Sequence, residues 1–160
     1  MTDSNIEKVI HQLMNLNYTI SFMESCSGGS LVNAFTNVKG SSHVLGLSAV
    51  TYGDEAKIKL GVNPKTIEKY SAYSTQVSKE MAKSISKFAN SNIGVGICGN
   101  LHLTSYERSS NREVYISIYN KETKRYSSKV ILIEGKDKIK AKQAIINFII
   151  NDLITLLAIN

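Results

Sequence analysis

The chain has 160 residues, 42% of them hydrophobic and 20% charged, which fits one globular domain with its own core and excludes a disordered chain. Two cysteines, Cys26 and Cys98, are too few for a disulfide framework and predict reduced thiols. The net charge is +6, and the segment from Lys121 to Lys142 carries five of those charges, with eight basic residues (121, 124, 125, 129, 136, 138, 140 and 142) against Glu122, Glu134 and Asp137.

Ser4-Asn5-Ile6-Glu7 has the form of a capping box and predicts an amphipathic helix with Ile6, Val9, Ile10 and Leu13 on one side. Its early acids, Asp3 and Glu7, give no signal-peptide pattern, and the expectation is a cytoplasmic protein. Tyr18 to Phe22 is a short strand, Leu31 to Phe35 a helix, and His43 to Tyr52 a β-rich stretch. Gly53-Asp54-Glu55 opens a short helix through Leu60, and Asn63-Pro64 supplies an N-cap and an N1 proline for the next. Ser74 begins the clearest helix, with Val77, Met81, Ile85 and Phe88 spaced at four, four and three. Ile93 to Cys98 is an unbroken apolar strand of the kind covered on both faces. Val114 to Tyr119 and Tyr126 to Ile133 read as a hairpin.

The last helix, from about Asp137, has one polar stripe, Gln143, Asn147, Asn151 and Thr155, and is otherwise widely apolar. Asn147, Asn151 and Asp152 interrupt that apolar surface, so it is not a membrane span. Its width implies packing on two sides, across a subunit contact in a homo-oligomer. The basic segment lacks any nucleic-acid motif, zinc spacing or aromatic platform, and reads as the solvated face of hairpin and helix, not as a nucleic-acid surface. Helices interleave with strands, and no linker or repeat divides the chain. The expected fold is α/β, a single three-layer α/β/α domain over residues 1–160.

Chemistry concentrates in two stretches. In Glu24-Ser25-Cys26-Ser27-Gly28-Gly29 a strand ends in small residues and leads into a helix. Glycine permits close approach of backbone N–H groups, and a helix N-terminus favours developing negative charge, a setting for a nucleophile beside an oxyanion hole. In Val50-Thr51-Tyr52-Gly53-Asp54-Glu55-Ala56-Lys57 a turn brings Tyr52 and Lys57 toward one cleft. A desolvated lysine can act as base toward a serine once its pKa falls. A rival nucleophile is the Cys26 thiolate, which needs His43 or His102 nearby. Taken singly, each stretch reads more readily as a plain turn, a packing element or a solvated side chain.

Together with Gly40-Ser41-Ser42 and Ala72-Tyr73-Ser74-Thr75-Gln76-Val77, these stretches resemble, in order and spacing, the motifs of the CinA C-terminal domain family, the nicotinamide-nucleotide amidases. The resemblance covers roughly residues 4 to 99. It implies a CinA C-terminal-like fold and hydrolysis of nicotinamide mononucleotide to nicotinic acid mononucleotide and ammonia, with no metal and no cofactor. The partner it implies is a small-molecule nucleotide. The catalytic residues would be Ser25 and Lys57 with Tyr52 assisting. Ser27, Gly28, Gly29 and Gly99 would contact substrate. After Gly99 the chain departs from the family pattern. Asn100-Leu101-His102-Leu103-Thr104-Ser105 stands where a Pro and glycines are usual, Arg112-Glu113-Val114 stands near Gly-Thr-Val, and lysines 136, 138 and 140 stand near an arginine motif. These departures define an alternative, a catalytically degenerate member that binds a nucleotide or a protein without turnover.

Overall fold

The computed structural model describes residues 2–102 and 112–159. Five strands form one mixed sheet: β1 (Ile20–Glu24), β2 (Ala49–Val50), β3 (Ile93–Gly99), β4 (Arg112–Asn120) and β5 (Arg125–Ile133), in the order β2-β1-β3-β4-β5. The first three strands run parallel, and β4 and β5 return antiparallel. The predicted apolar run is therefore the central strand, buried along its whole length. The expected hairpin is β4–β5, paired from Arg112↔Ile133 to Asn120↔Arg125.

Six helices cover both faces. On one side α1 (Thr2–Asn15), α2 (Ser30–Thr36) and α6 (Lys138–Leu156) bury Ile10, Leu31, Phe35, Ile145 and Ile149 against Ile20, Phe22, Val95 and Ile97. On the other, α5 (Thr75–Ala89) packs Val77, Met81 and Ile85 on Met23 and Cys98, with Ile67 of α4 (Pro64–Tyr70) and Leu60, just after α3 (Asp54–Lys59), against this smaller cluster. The α5 axis sits very close to β3 because two strand positions facing it carry no side chain. A Cβ on Gly94 would lie 2.0 Å from Ala82 O, and one on Gly96 would lie 2.2 Å from Ser78 O.

Local signals set several boundaries. Asn63 Oδ1 accepts from Lys65 N–H, Ser74 Oγ from Val77 N–H, and Asp137 Oδ1 from Ile139 and Lys140 N–H, which fixes the starts of α4, α5 and α6. Elsewhere tertiary contacts win. The first helix starts at Thr2 instead of Ser4, with the Thr2 hydroxyl donating to Asn147 of α6. The β-rich stretch from His43 keeps only Ala49–Val50 as strand, because Ser48 Oγ takes the Phe22 N–H in place of a main-chain carbonyl. Phe88 is exposed: the buried face of α5 continues through Ser78, Ala82 and Ser86. The broad apolar surface of α6 is used within the chain, against the sheet and against α1.

The chain leaves β1 to one side to reach β2, then crosses to the other side of β1 to reach β3. Helix α2 lies on one face and α3 to α5 on the other, so the connections separate above the C-terminal end of β1. Open α/β sheets place ligands in such a crevice.

Candidate functional site

Ser25 is the first residue beyond β1, and its N–H donates to Ile97 O of β3 at 3.0 Å, which holds the turn against the sheet. Gly28 N–H closes the turn on Ser25 O at 2.9 Å, and Gly28 and Gly29 take φ of 63° and 92°, a region that favours glycine. Gly29 is the N-cap of α2 and has no side chain to satisfy the first turn. Glu24 supplies what it lacks. Its buried carboxylate accepts from Leu31 N–H and Val32 N–H, both at 3.0 Å. This corrects the expectation that the α2 N-terminus faces the reacting group: a resident anion already occupies it.

Lys57 comes from α3, and its side chain is 1% exposed. Its Nζ lies 2.8 Å from Thr51 O, 3.4 Å from Tyr52 O and 3.3 Å from Ser25 Oγ, which is itself 3% exposed. Burial pushes the amine below the ordinary lysine value of 10.5, against an opposing pull from the Asp54 carboxylate. Each of the three oxygens can accept an N–H from Lys57 Nζ; once the amine is deprotonated, two N–H bonds still serve the carbonyls and its lone pair faces the Ser25 hydroxyl.

The thiols have the opposite character. Burial raises Cys26 to about 12, helped by Cys98, and raises Cys98 to about 11. His43 is exposed beyond α2, and His102 bonds Tyr52 and Lys138, so neither histidine partners Cys26. Thiolate chemistry has no support here.

A cleft of about 240 Å³ opens above Ser25. Ser25, Cys26, Gly28, Tyr52 and Gly99 form one part of its wall, and Tyr73, Asn100, Leu101, His102, Lys138 and Lys142 complete it. Lys57 lies beneath Ser25 and is not on the wall. Ser27 and Gly29, expected to touch substrate, are not on it either, and Ser27 Oγ is buried with no hydrogen-bond partner. The substituted residues Asn100 to His102 are part of the wall, whereas Leu103, Thr104 and Ser105 fall outside the described residues. Arg112, standing where the resemblance led to a glycine, is buried and donates to Leu101 O and Gly135 O, tying the loop after β3 to the turn before α6.

Sequence reading missed Lys138 and Lys142, which it left on a solvated face. The antiparallel return of β4 and β5 starts α6 beside the C-terminal end of β3, so its first turns reach the cleft. A Cβ on Gly28 would sit 3.2 Å from Lys142 Nζ, so the glycine makes room for that cation. Two lysines on one rim suit an anionic group. Among the described residues, no three His, Cys, Asp or Glu side chains cluster as a metal site requires, and no helix is long and apolar enough to cross a membrane.

A family model described as the CinA C-terminal domain matches residues 2–157. A relative from Alkaliphilus oremlandii that carries a competence-damage inducible name is 46% identical over 99 residues, 61% of this chain and 24% of its own length. A CinA-like protein from Fervidobacterium nodosum is 42% identical over 101 residues, 62% of this chain and 25% of its own length. The match thus spans about a quarter of the length of these curated relatives. Among solved structures, a competence or damage-inducible protein from Enterobacter asburiae superposes with a TM-score of 0.89 at 25% identity, over 98% of both chains.

Proposed function

The chain belongs to the CinA C-terminal domain family, and we propose that it is an amidohydrolase that cleaves the carboxamide of nicotinamide mononucleotide through Ser25 and Lys57. The observation that carries this reading is the buried Lys57 amine 3.3 Å from Ser25 Oγ, with its pKa lowered by burial. The reading is consistent with Lys138 and Lys142 on the cleft rim, which suit a phosphate-bearing substrate.

In the proposed reaction, Ser25 Oγ attacks the carboxamide carbon while Lys57 Nζ takes the hydroxyl proton. The resulting ammonium returns that proton to the departing nitrogen, and ammonia leaves as the tetrahedral intermediate collapses to an acyl ester on Ser25. Water then attacks the ester with Lys57 again as base. The Ser25 hydroxyl is regenerated and the carboxylate product is released. Thr51 O and Tyr52 O hold the amine through both proton transfers, so the base moves little between steps.

The test is ammonia release from nicotinamide mononucleotide by purified protein, followed for the wild type, Ser25→Ala and Lys57→Ala. The proposal expects losses on the order of 10⁴-fold for Ser25→Ala, nearly as much for Lys57→Ala, and little further loss in the double variant. Full activity in Ser25→Ala contradicts the mechanism. A second reading rests on Asn100, Leu101 and His102 in the cleft wall, where the family pattern has a proline and glycines. A wild type that binds the nucleotide and releases no ammonia establishes that reading, a pocket kept without the reaction.

A further inference from the structure

The outer wall of the cleft holds a hydrogen-bonded chain that the proton transfers above leave unused. Tyr52 Oη lies 2.8 Å from His102 Nε2, and Lys138 Nζ lies 2.9 Å from His102 Nδ1. Three separate elements supply it: the β2–α3 connection, the loop after β3, and the first turn of α6.

The direction of each bond follows from which atoms can donate. A lysine ammonium carries three N–H bonds and no lone pair, so Lys138 must donate to His102 Nδ1. That nitrogen is then bare, and a neutral imidazole with a bare Nδ1 carries its proton on Nε2. The Nε2–H donates to Tyr52 Oη. With its oxygen accepting from the histidine, the phenol keeps its own O–H for another acceptor, and Tyr52 stands on the same wall as Ser25. The opposite polarity, Tyr52 donating to a bare Nε2, would set an Nδ1–H against the Lys138 ammonium at 2.9 Å, two donors facing each other.

We propose that His102, oriented by Lys138, is a positioning residue that fixes Tyr52 as a hydrogen-bond donor into the cleft, toward an acceptor oxygen of the bound substrate. The identity of that substrate rests on the amidase reading, but the polarity of the chain does not. All three side chains are solvent-exposed, so water competes for each bond and the effect on catalysis is modest, about tenfold.

The test reads polarity and consequence separately. Nitrogen NMR of protein labelled in its three histidines, His11, His43 and His102, reports the tautomer of each ring, and His102→Gln identifies the relevant signals. The expected state at neutral pH is Nε2–H with a bare Nδ1, relaxing toward a tautomer mixture in Lys138→Met. An Nδ1–H tautomer or a doubly protonated ring overturns the proposal.

In the kinetic arm, His102→Gln and His102→Glu are nearly equal in size but opposite in polarity. Glutamine keeps a donor for Tyr52 and an acceptor for Lys138, whereas glutamate offers only acceptors. Glutamine should hold kcat within about threefold of wild type. Glutamate should lose about tenfold, as Tyr52→Phe does, and the pair Tyr52→Phe/His102→Glu should lose no more than Tyr52→Phe alone. Equal effects of Gln and Glu, or additive losses in the pair, overturn the proposal. The expected tautomer in a wild type that releases no ammonia refutes the amidase reading and leaves the polarity of the chain standing.

Discussion

Glu24→Gln isolates the contact that holds the nucleophile turn to its helix. The substitution keeps side-chain size but leaves one acceptor oxygen where two now serve Leu31 N–H and Val32 N–H. The amide –NH2 of glutamine is turned against the second N–H, and an unsatisfied buried donor costs about 1–3 kcal/mol. Removing an anion from the first turn of α2 costs roughly another 0.3–1 kcal/mol. A neutral side chain is easier to bury than a carboxylate, which offsets part of the loss. The net expectation is a destabilisation of about 2–3 kcal/mol, or roughly 6–9 °C in Tm for a domain of this size. Urea titration followed by circular dichroism measures it, with an unchanged m-value as the sign that only stability moved. A variant within about 0.5 kcal/mol of wild type, the ordinary range of neutral surface changes, refutes the assignment of Glu24 as the cap of α2.

Gly96→Ala should be more damaging still, because its Cβ would sit 2.2 Å from Ser78 O and 2.7 Å from Ala82 N, and backbone cannot move aside as a flexible side chain can. A loss of at least about 3 kcal/mol in the same urea assay is expected. The lowered pKa of Lys57 gives a signed pH dependence. Between its folded and unfolded values the unfolded chain binds more protons than the native one, so stability rises with pH across that window below 10.5. Lys57→Met should flatten that rise in denaturation curves taken from neutral to alkaline pH. For activity, kcat/KM should climb with pH as the amine deprotonates, with a midpoint below 10.5 that is absent in Lys57→Ala. Cys26→Ala should cost only a few-fold in kcat/KM, since its thiol stays protonated at neutral pH; a loss as large as that of Ser25→Ala gives the chemistry to sulfur.

The caps at Asn63, Ser74 and Asp137 were legible because each needs only a side chain and an N–H two or three residues away. The buried run Ile93 to Cys98 was legible because a strand covered on both faces needs no alternation. The Ser25 turn and Lys57 could be placed at one crevice because their spacing matches a family pattern; their 3.3 Å approach depends on Thr51 O and Tyr52 O, which hold the Lys57 amine at the end of β1. Other features had no local signal. Glu24 looks like a strand terminus, and only the packing of α2 on the sheet shows its carboxylate as a helix cap. Lys138 and Lys142 look like any charged helix face until the antiparallel pair β4–β5 delivers them to the cleft. Phe88 failed for the converse reason: it follows the helical spacing, but the face that α5 buries continues through the small residues Ser78, Ala82 and Ser86.

The central claim is that Ser25 forms a covalent bond to the substrate acyl group. The most direct measurement is peptide mass spectrometry of wild-type protein acid-quenched during turnover of nicotinamide mononucleotide. An acyl-nucleotide mass is expected on the peptide containing Ser25, absent in Ser25→Ala and accumulating in variants slowed in deacylation. A turning-over wild type with no adduct on that peptide, together with an active Ser25→Ala, would contradict it.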